Sequence, residues 1–75
     1  MQEMNSDLLK GKIREKAMTQ GDIADRIGIS LSRFNAKLNG SGGAEFTLGE
    51  VQAIKTVLDL DSQQVDQIFF SVMVS

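Results

Sequence analysis

The sequence contains no cysteine, histidine, proline, tryptophan or tyrosine. Without cysteine there is no disulfide, and without cysteine and histidine there is no thiolate or imidazole metal site and no catalysis that depends on those side chains. The acids offer no catalytic pair, because Asp22 and Asp25 have no imidazole or nucleophile to serve. We therefore expect a protein that is not an enzyme, and we predict no cofactor, metal or small-molecule ligand.

Long apolar runs are also missing. The first ten residues include Glu3 and Asp7, which is not typical of a signal peptide, and no stretch approaches the roughly 20 apolar residues of a membrane span. We expect a cytoplasmic protein that does not enter a membrane. The 75 residues are enough for one domain with a small core, so residues 1–75 are predicted to form a single domain.

The net charge of -2 conceals an asymmetry along the chain. Residues 8–40 contain seven basic residues and three acidic ones, which gives this segment a net charge of +4. Residues 41–75 contain one basic residue and five acidic ones, a net charge of -4. Such a chain can present its basic half to phosphate groups while the acidic half faces solvent or a protein partner.

Residues 19–40 predict two short amphipathic helices in close succession. Thr19 is suited to cap the first helix, with Asp22 in the capping-box position. Gly28 is suited to end that helix with a positive φ, and Ser30 to cap the second helix, so the connection is about three residues long. Helices joined so closely are expected to cross at a steep angle. The residues expected to face the core are Ile23, Ala24, Ile27, Phe34 and Leu38.

A further helix is predicted before this pair, with Ser6 as its N-cap and its last turn near Ala17. Its expected inward residues are Leu8, Leu9, Ile13 and Ala17. After the pair, the three glycines within residues 40–46 predict a loop, since a backbone so rich in glycine loses too much entropy in a regular element. Phe46 is expected to close the loop by docking on the core.

Two more helices are predicted after the loop. A capping box from Thr47 to Glu50 begins the fourth helix, whose apolar stripe is Leu48, Val51, Ile54, Val57 and Leu58. Asp61 is suited to cap the fifth helix, with Gln64 in the box position and Val65, Ile68 and Phe69 facing inward. This helix is expected to reach about Phe70, and the final SVMVS fits either more helix or a short strand. In the helical alternative, Phe70 and Val74 leave the buried face and have no intramolecular contact.

Residues 20–40 resemble the helix-turn-helix of the lambda repressor and Cro class, the Xre family. The residues that carry the resemblance are Gln20 at the start of the first helix, Ala24 and Gly28 at its fifth and ninth positions, and Asn39-Gly40 after the second helix. More loosely, FTLGEVQAIKTVLDL followed by QIFF is similar to the corresponding region of small phage-encoded regulators of Gram-positive bacteria. Lys37 departs from the pattern, because many relatives have an apolar residue there. The resemblance implies an all-α, five-helix, lambda-repressor-like domain whose helices 2 and 3 form the helix-turn-helix.

With Phe34 and Leu38 facing inward, the opposite face of the third helix carries short polar or small side chains, which suit a major groove about 12 Å wide. The candidate base contacts are Leu31, Ser32, Arg33, Asn35 and Ala36, and Asn35 is the first choice because its amide can bond adenine bidentately. The candidate phosphate contacts are Gln20, Arg33, Lys37 and Asn39, with Gln20 placed where free backbone N–H groups of a helix face an anion. The competing interpretation of these side chains is a solvated helix face.

These observations predict a sequence-specific regulator of transcription that binds double-stranded DNA. The resemblance implies a phage repressor or Cro-like protein that occludes a promoter as a homodimer on a partly palindromic operator. The dimer surface is expected in the last helix and tail, residues 62–75, through Phe70, Val72, Met73 and Val74. The alternative is an antitoxin or antirepressor that uses the same fold and its acidic half mainly to bind another protein.

Overall fold

The computed structural model describes residues 4–70, and over that range the chain is helical with connecting turns and no strand. Its five α-helices are α1 Ser6–Glu15, α2 Gln20–Ile27, α3 Leu31–Asn39, α4 Leu48–Leu58 and α5 Ser62–Phe69, with a short 3-10 turn at Ser41–Gly43. The prediction of an all-α chain with five helices is confirmed. None of these helices has the length and apolar character needed to cross a lipid bilayer. The alternative of a strand or more helix at SVMVS lies outside the described residues.

Each α-helix begins at a side chain that accepts a backbone N–H of its first turn. The capping residues are Asn5, Thr19, Ser30, Thr47 and Asp61, and Thr19, Thr47 and Asp61 form complete capping boxes. The predicted caps of α2 to α5 are thus confirmed, whereas the prediction of Ser6 for α1 is wrong. The Asn5 Oδ1 accepts the N–H of Leu8 at 3.0 Å, and asparagine is an N-cap as favourable as serine. The N–H of Asn5 also donates to the carbonyl oxygen of Ile68 at 2.6 Å, which joins the start of α1 to α5.

Three of the helices are followed by the same turn, which is built on a residue with positive φ. The residues are Ala17 after α1 (φ 56°), Gly28 after α2 (φ 84°) and Asp59 after α4 (φ 54°). In each case the next residue donates its N–H to the carbonyl five positions earlier, as Met18 does to Ile13 at 3.1 Å. The prediction that α1 extends to about Ala17 with that side chain inward is wrong, because the chain reverses there and Ala17 is exposed.

All five helices contribute to one hydrophobic core. Helix α2 packs against both α3 and α4, α1 packs against α2 and α5, and α4 also packs against α5. The buried residues are Leu9, Ile13, Ile23, Ala24, Phe34, Leu38, Val51, Ile54, Leu58, Leu60, Val65, Ile68 and Phe69. Three predicted core residues, Leu8, Ile27 and Val57, are only half-buried and pack on its edge. Ala24 is fully buried on α2, as expected for a small residue at a close approach of helices.

Phe46 docks on the core as predicted and connects two helices across the end of the glycine-rich loop. Its ring makes edge-to-face contacts with Phe34 of α3, at a centroid distance of 5.5 Å, and with Phe69 of α5, at 5.9 Å. This geometry is favourable for aromatic quadrupoles. The loop is thereby anchored at its far end.

Two expectations about exposed and buried apolar residues are wrong. The apolar spacing places Leu48 on the buried stripe of α4, but its side chain is 69% exposed. Leu48 is the first residue of α4, and the buried residues of that helix begin one turn later, at Val51. Phe70 is expected to have no intramolecular contact, but it is half-buried, packs on the core and lies beside Phe69 with ring centroids 6.5 Å apart. The other predicted dimer residues, Val72, Met73 and Val74, lie outside the described range.

Candidate nucleic-acid interface

The connection between α2 and α3 consists of residues 28–30. Gly28 adopts the left-handed conformation that ends α2, and the N–H of Ile29 donates to the carbonyl of Ala24 at 3.0 Å. The side chain of Ile29 packs on the edge of the core, and the Ser30 Oγ accepts the N–H of Arg33 at 3.1 Å. These contacts fix where α3 begins and leave little freedom in its direction.

The outward side of α3 carries the residues predicted to contact bases. Ser32 and Arg33 are exposed, Leu31 is 47% exposed, and Asn35 and Ala36 are half-buried. Phe34 and Leu38 occupy the opposite, buried side. Ser32 and Arg33 are therefore not part of the core. All the predicted base contacts lie on the same short helix.

The predicted phosphate contacts are spread over two helices. Gln20 is the first residue of α2 and is half-buried, whereas Asn39 is the last residue of α3 and is exposed. Arg33 is exposed near the start of α3 and forms no ion pair with any residue of the described chain. Contacts at all three places would therefore involve both helices and more than one phosphate.

The N-termini of α2 and α3 differ in charge. At α2, the Asp22 Oδ2 accepts the N–H of Thr19 at 2.9 Å. The pKa of Asp22 is lowered chiefly by that backbone hydrogen bond, then by the Thr19 hydroxyl, with a smaller contribution from Arg26. Its negative charge offsets the helix dipole beside Gln20. The first turn of α3 has no acid, so its positive end remains uncompensated beside Arg33.

Lys37 is engaged in an ion pair with Glu50 of α4. The Lys37 Nζ lies 2.7 Å from Glu50 Oε1 and 2.8 Å from Oε2, and each side chain is only 16% exposed. Burial tends to raise the pKa of Glu50, but the hydrogen bonds from Lys37 and from the N–H of Thr47 together outweigh it and lower the pKa. The predicted contact of Lys37 with phosphate is disfavoured, because it would require this pair to break.

Sequence reasoning missed this pair because the partners are 13 positions apart and on different helices. The only other ion pair among residues 4–70 joins Lys12 and Glu15 within α1, at 3.7 Å. No group of three acidic side chains within that same range is arranged to hold a metal ion.

A groove of about 650 Å³ lies where the C-terminal end of α3, the glycine-rich loop and the end of α5 meet. Its apolar lining includes Met4, Phe46, Leu48, Phe69 and Phe70. Leu48 is the most exposed large apolar residue in this lining. The groove was not predicted, since it is formed by residues from three distant parts of the sequence. Leu48, at the start of α4, and Phe70, directly after α5, therefore lie on one surface.

Comparisons with family models, with curated proteins and with solved structures gave no match to this chain.

Proposed function

We propose that this chain is a sequence-specific regulator of transcription that binds double-stranded DNA. In this proposal, α2 and α3 form a helix-turn-helix within a lambda-repressor-like domain, and α3 enters the major groove. A phage repressor or Cro-like role follows from the sequence resemblance, with the bound protein excluding RNA polymerase from a promoter.

The observation that carries the proposal is the surface of α3. Its N-terminus has no acidic residue, and Leu31, Ser32 and Arg33 are exposed directly behind it. A positive helix end followed by short or basic side chains is what a groove flanked by phosphates requires. Seven of the eight basic residues of the chain lie before residue 41, so the basic half supplies the face that meets DNA.

Asn35 and Arg33 are proposed as the main specific contacts. An asparagine amide pairs bidentately with the N6 and N7 groups of adenine, and an arginine pairs with O6 and N7 of guanine. Ser32 and Ala36 lie on the same helix and are small enough to allow close approach to the base edges. Gln20 and Asn39 are proposed to contact the backbone on either side.

We propose that the active form is a homodimer and that a second copy covers the part of the groove formed by Leu48 and Phe70. Leu48 is 69% exposed at this groove, and Phe70 lines it at the point where the chain continues into residues 71–75. The sequence after Phe70 contains Val72, Met73 and Val74, the other residues predicted for the dimer surface. A two-fold dimer would place two copies of α3 on the two halves of a palindromic operator.

The DNA proposal is tested by selecting bound duplexes from a random-sequence library with the wild-type protein. We expect one sequence class to be enriched and its affinity to fall steeply with salt, because lysine and arginine contacts release counterions. Asn35→Ala should weaken binding to the selected duplex by about 5- to 150-fold, which corresponds to the removal of one bidentate bond to a base. Gln67→Ala is the matched control, because Gln67 is an exposed amide on α5. No enrichment, or binding insensitive to salt, would contradict the proposal.

The dimer proposal is tested by light scattering over a range of protein concentrations, with and without the selected duplex. Leu48→Asp is the informative variant, because an acid in the first turn of α4 is favourable to the helix and the side chain is not in the core. We expect the wild type to dimerise and Leu48→Asp to remain monomeric with unchanged helicity. A wild-type monomer under all these conditions would refute this part of the proposal.

A further inference from the structure

The contact between Lys37 and Glu50 connects α3 to the start of α4. The Lys37 Nζ is within 2.8 Å of both carboxylate oxygens, whereas the other ion pair in the described part of the chain is longer and lies within one helix. Glu50 Oε1 also accepts the N–H of Thr47 at 2.9 Å, and the N–H of Glu50 donates to the Thr47 Oγ1 at 3.1 Å. The same carboxylate therefore completes the capping box of α4 and binds Lys37.

This arrangement makes Glu50 a rigid partner. The capping box restricts the orientation of its side chain, because Glu50 Oε1 must keep the hydrogen bond that it accepts from the N–H of Thr47. The pair is largely shielded from water, with each side chain 16% exposed, so it is weakened less by salt than a surface ion pair. The position of Lys37 relative to α4 is consequently well defined.

Helix α3 needs such a contact because its buried anchors lie in a single row. Phe34 and Leu38 are four residues apart, so they lie one above the other on the same side of the helix. A single row resists translation but leaves rotation of the helix about its axis weakly determined. With about 100° between successive residues, Lys37 lies roughly 60° from Phe34 around the axis, and it therefore supplies a contact away from the row.

Rotation of α3 has a direct effect on the residues proposed to contact bases. Side-chain ends lie about 5 to 6 Å from the axis of a helix, so a rotation of about 10° moves them by about 1 Å. The donor–acceptor distance of a hydrogen bond spans only about 0.5 Å in its useful range. A small rotation would therefore break the proposed contacts of Asn35 with a base, while contacts to the flexible phosphate backbone would adapt.

We propose that Lys37 is a positioning residue: through its ion pair with Glu50 it sets the rotation of α3, and it does not itself contact DNA. This inference rests on the proposed DNA-binding function and makes it more specific. Arg33 lies four residues earlier on the same flank of α3 and is the residue that remains available to phosphate or a base.

The test compares Lys37→Met, Glu50→Gln and Arg33→Met in binding to the selected duplex and to a random-sequence duplex of equal length, each over a series of salt concentrations. We expect Lys37→Met and Glu50→Gln each to weaken binding to the selected duplex by about tenfold, the order expected when one bond to a base is disturbed. Neither should change the slope of log affinity against log salt or the affinity for the random duplex. Arg33→Met is the comparison variant: as a proposed base contact it should weaken binding to the selected duplex, and it should reduce the slope by about 0.9 for each phosphate that the arginine neutralises in the wild type.

Glu50→Gln gives the sharpest distinction, because the two roles of Lys37 predict opposite signs. Glutamine keeps an oxygen for the N–H of Thr47, so α4 retains its cap while Lys37 loses its charged partner. If Lys37 positions α3, binding to the selected duplex weakens. If Lys37 instead contacts phosphate, the released charge strengthens binding to both duplexes and Lys37→Met lowers the salt slope, which would overturn the inference.

Residual dipolar couplings of the backbone N–H groups give a readout that does not depend on DNA. We expect Lys37→Met and Glu50→Gln to change the orientation of α3 relative to α4, while the helices themselves remain formed. An unchanged orientation in both variants would overturn the positioning role directly. If the wild type selects no duplex, the proposed function fails, and the couplings still decide whether the ion pair orients α3.

Discussion

Phe46 is expected to stabilise the fold through its two aromatic contacts, and Phe46→Leu tests this. Leucine preserves an apolar side chain but removes the edge-to-face contacts with Phe34 and Phe69, whose centroids lie 5.5 Å and 5.9 Å away. Each such contact contributes about 0.5 to 1.5 kcal/mol beyond the area buried, so the free energy of unfolding should fall by about 1 to 3 kcal/mol. For a domain of this size, each kcal/mol lowers the Tm by roughly 4 to 8 °C.

The measurement is thermal and urea unfolding followed by circular dichroism at 222 nm. Phe46→Ala should cost more than Phe46→Leu, up to about 3 to 5 kcal/mol if the site behaved as a fully buried one. Leu31→Ala is the control, because Leu31 is 47% exposed at the first position of α3 and does not pack on the core, so it should change stability by less than about 0.5 kcal/mol. A Phe46→Leu variant as stable as the wild type would refute the view that this ring holds α3 and α5 together.

Three further predictions concern the core, the helix ends and the effect of pH. Ala24→Leu should overpack the fully buried site on α2 and lower the unfolding free energy by about 1 to 3 kcal/mol in urea titrations, and an unchanged midpoint would mean that the site has room for a larger side chain. Ala17→Gly should raise the Tm, because the positive φ at this position costs alanine about 1 to 2 kcal/mol and glycine adopts it without that cost. Gly28→Ala should lower the Tm, because it imposes the same cost at Gly28. Two Tm shifts of the same sign would contradict this explanation. The lowered pKa of Glu50 stabilises the folded chain at pH values above the ordinary carboxyl pKa of about 4.3, and that stabilisation is lost as the pH falls through the lowered pKa. The stability difference between wild type and Glu50→Gln should therefore shrink in thermal melts below about pH 4, and a difference independent of pH would show that Glu50 is not ionised in the pair.

Local patterns in the sequence were sufficient to predict most of the helices. Capping boxes depend on residues three positions apart, so the starts of α2, α4 and α5 could be recognised from Thr19, Thr47 and Asp61. The start of α1 was misplaced by one residue because two good N-caps, Asn5 and Ser6, are adjacent. The hydrogen bond from Asn5 to Ile68 helps to fix the choice, and it depends on the folded chain.

The wrong predictions at helix ends and surfaces have a common origin: residue type and apolar spacing do not specify the backbone conformation or the packing of the folded chain. A positive φ is usually signalled by glycine, as at Gly28, but the same turn after α1 is formed by Ala17 and was invisible in the sequence. Apolar spacing placed Leu48 on the stripe of α4, although only the following turns of that helix reach the core. Phe70 packs on the core beside Phe69, because α5 ends against the core, and this contact could not be recognised from helical spacing alone.

The candidate interface was predictable in part. The outward residues of α3 followed from the inward positions of Phe34 and Leu38, which the structure confirms as buried. The engagement of Lys37 with Glu50 was not predictable, because it joins two helices through a loop whose path depends on glycines with positive φ. The roles of Asn35 and its neighbours in DNA binding stay predictions until the binding experiments are done.

The hydrogen bond between the N–H of Asn5 and the carbonyl of Ile68 constrains when the protein can fold during its synthesis. Helix α1 packs against α5, so residues near the two ends of the described chain complete each other's structure. A chain still held in the ribosome near Ile68 cannot form this contact. Native packing therefore requires that the segment containing α5 is free to pack, so helices α1 to α4 alone cannot complete the core.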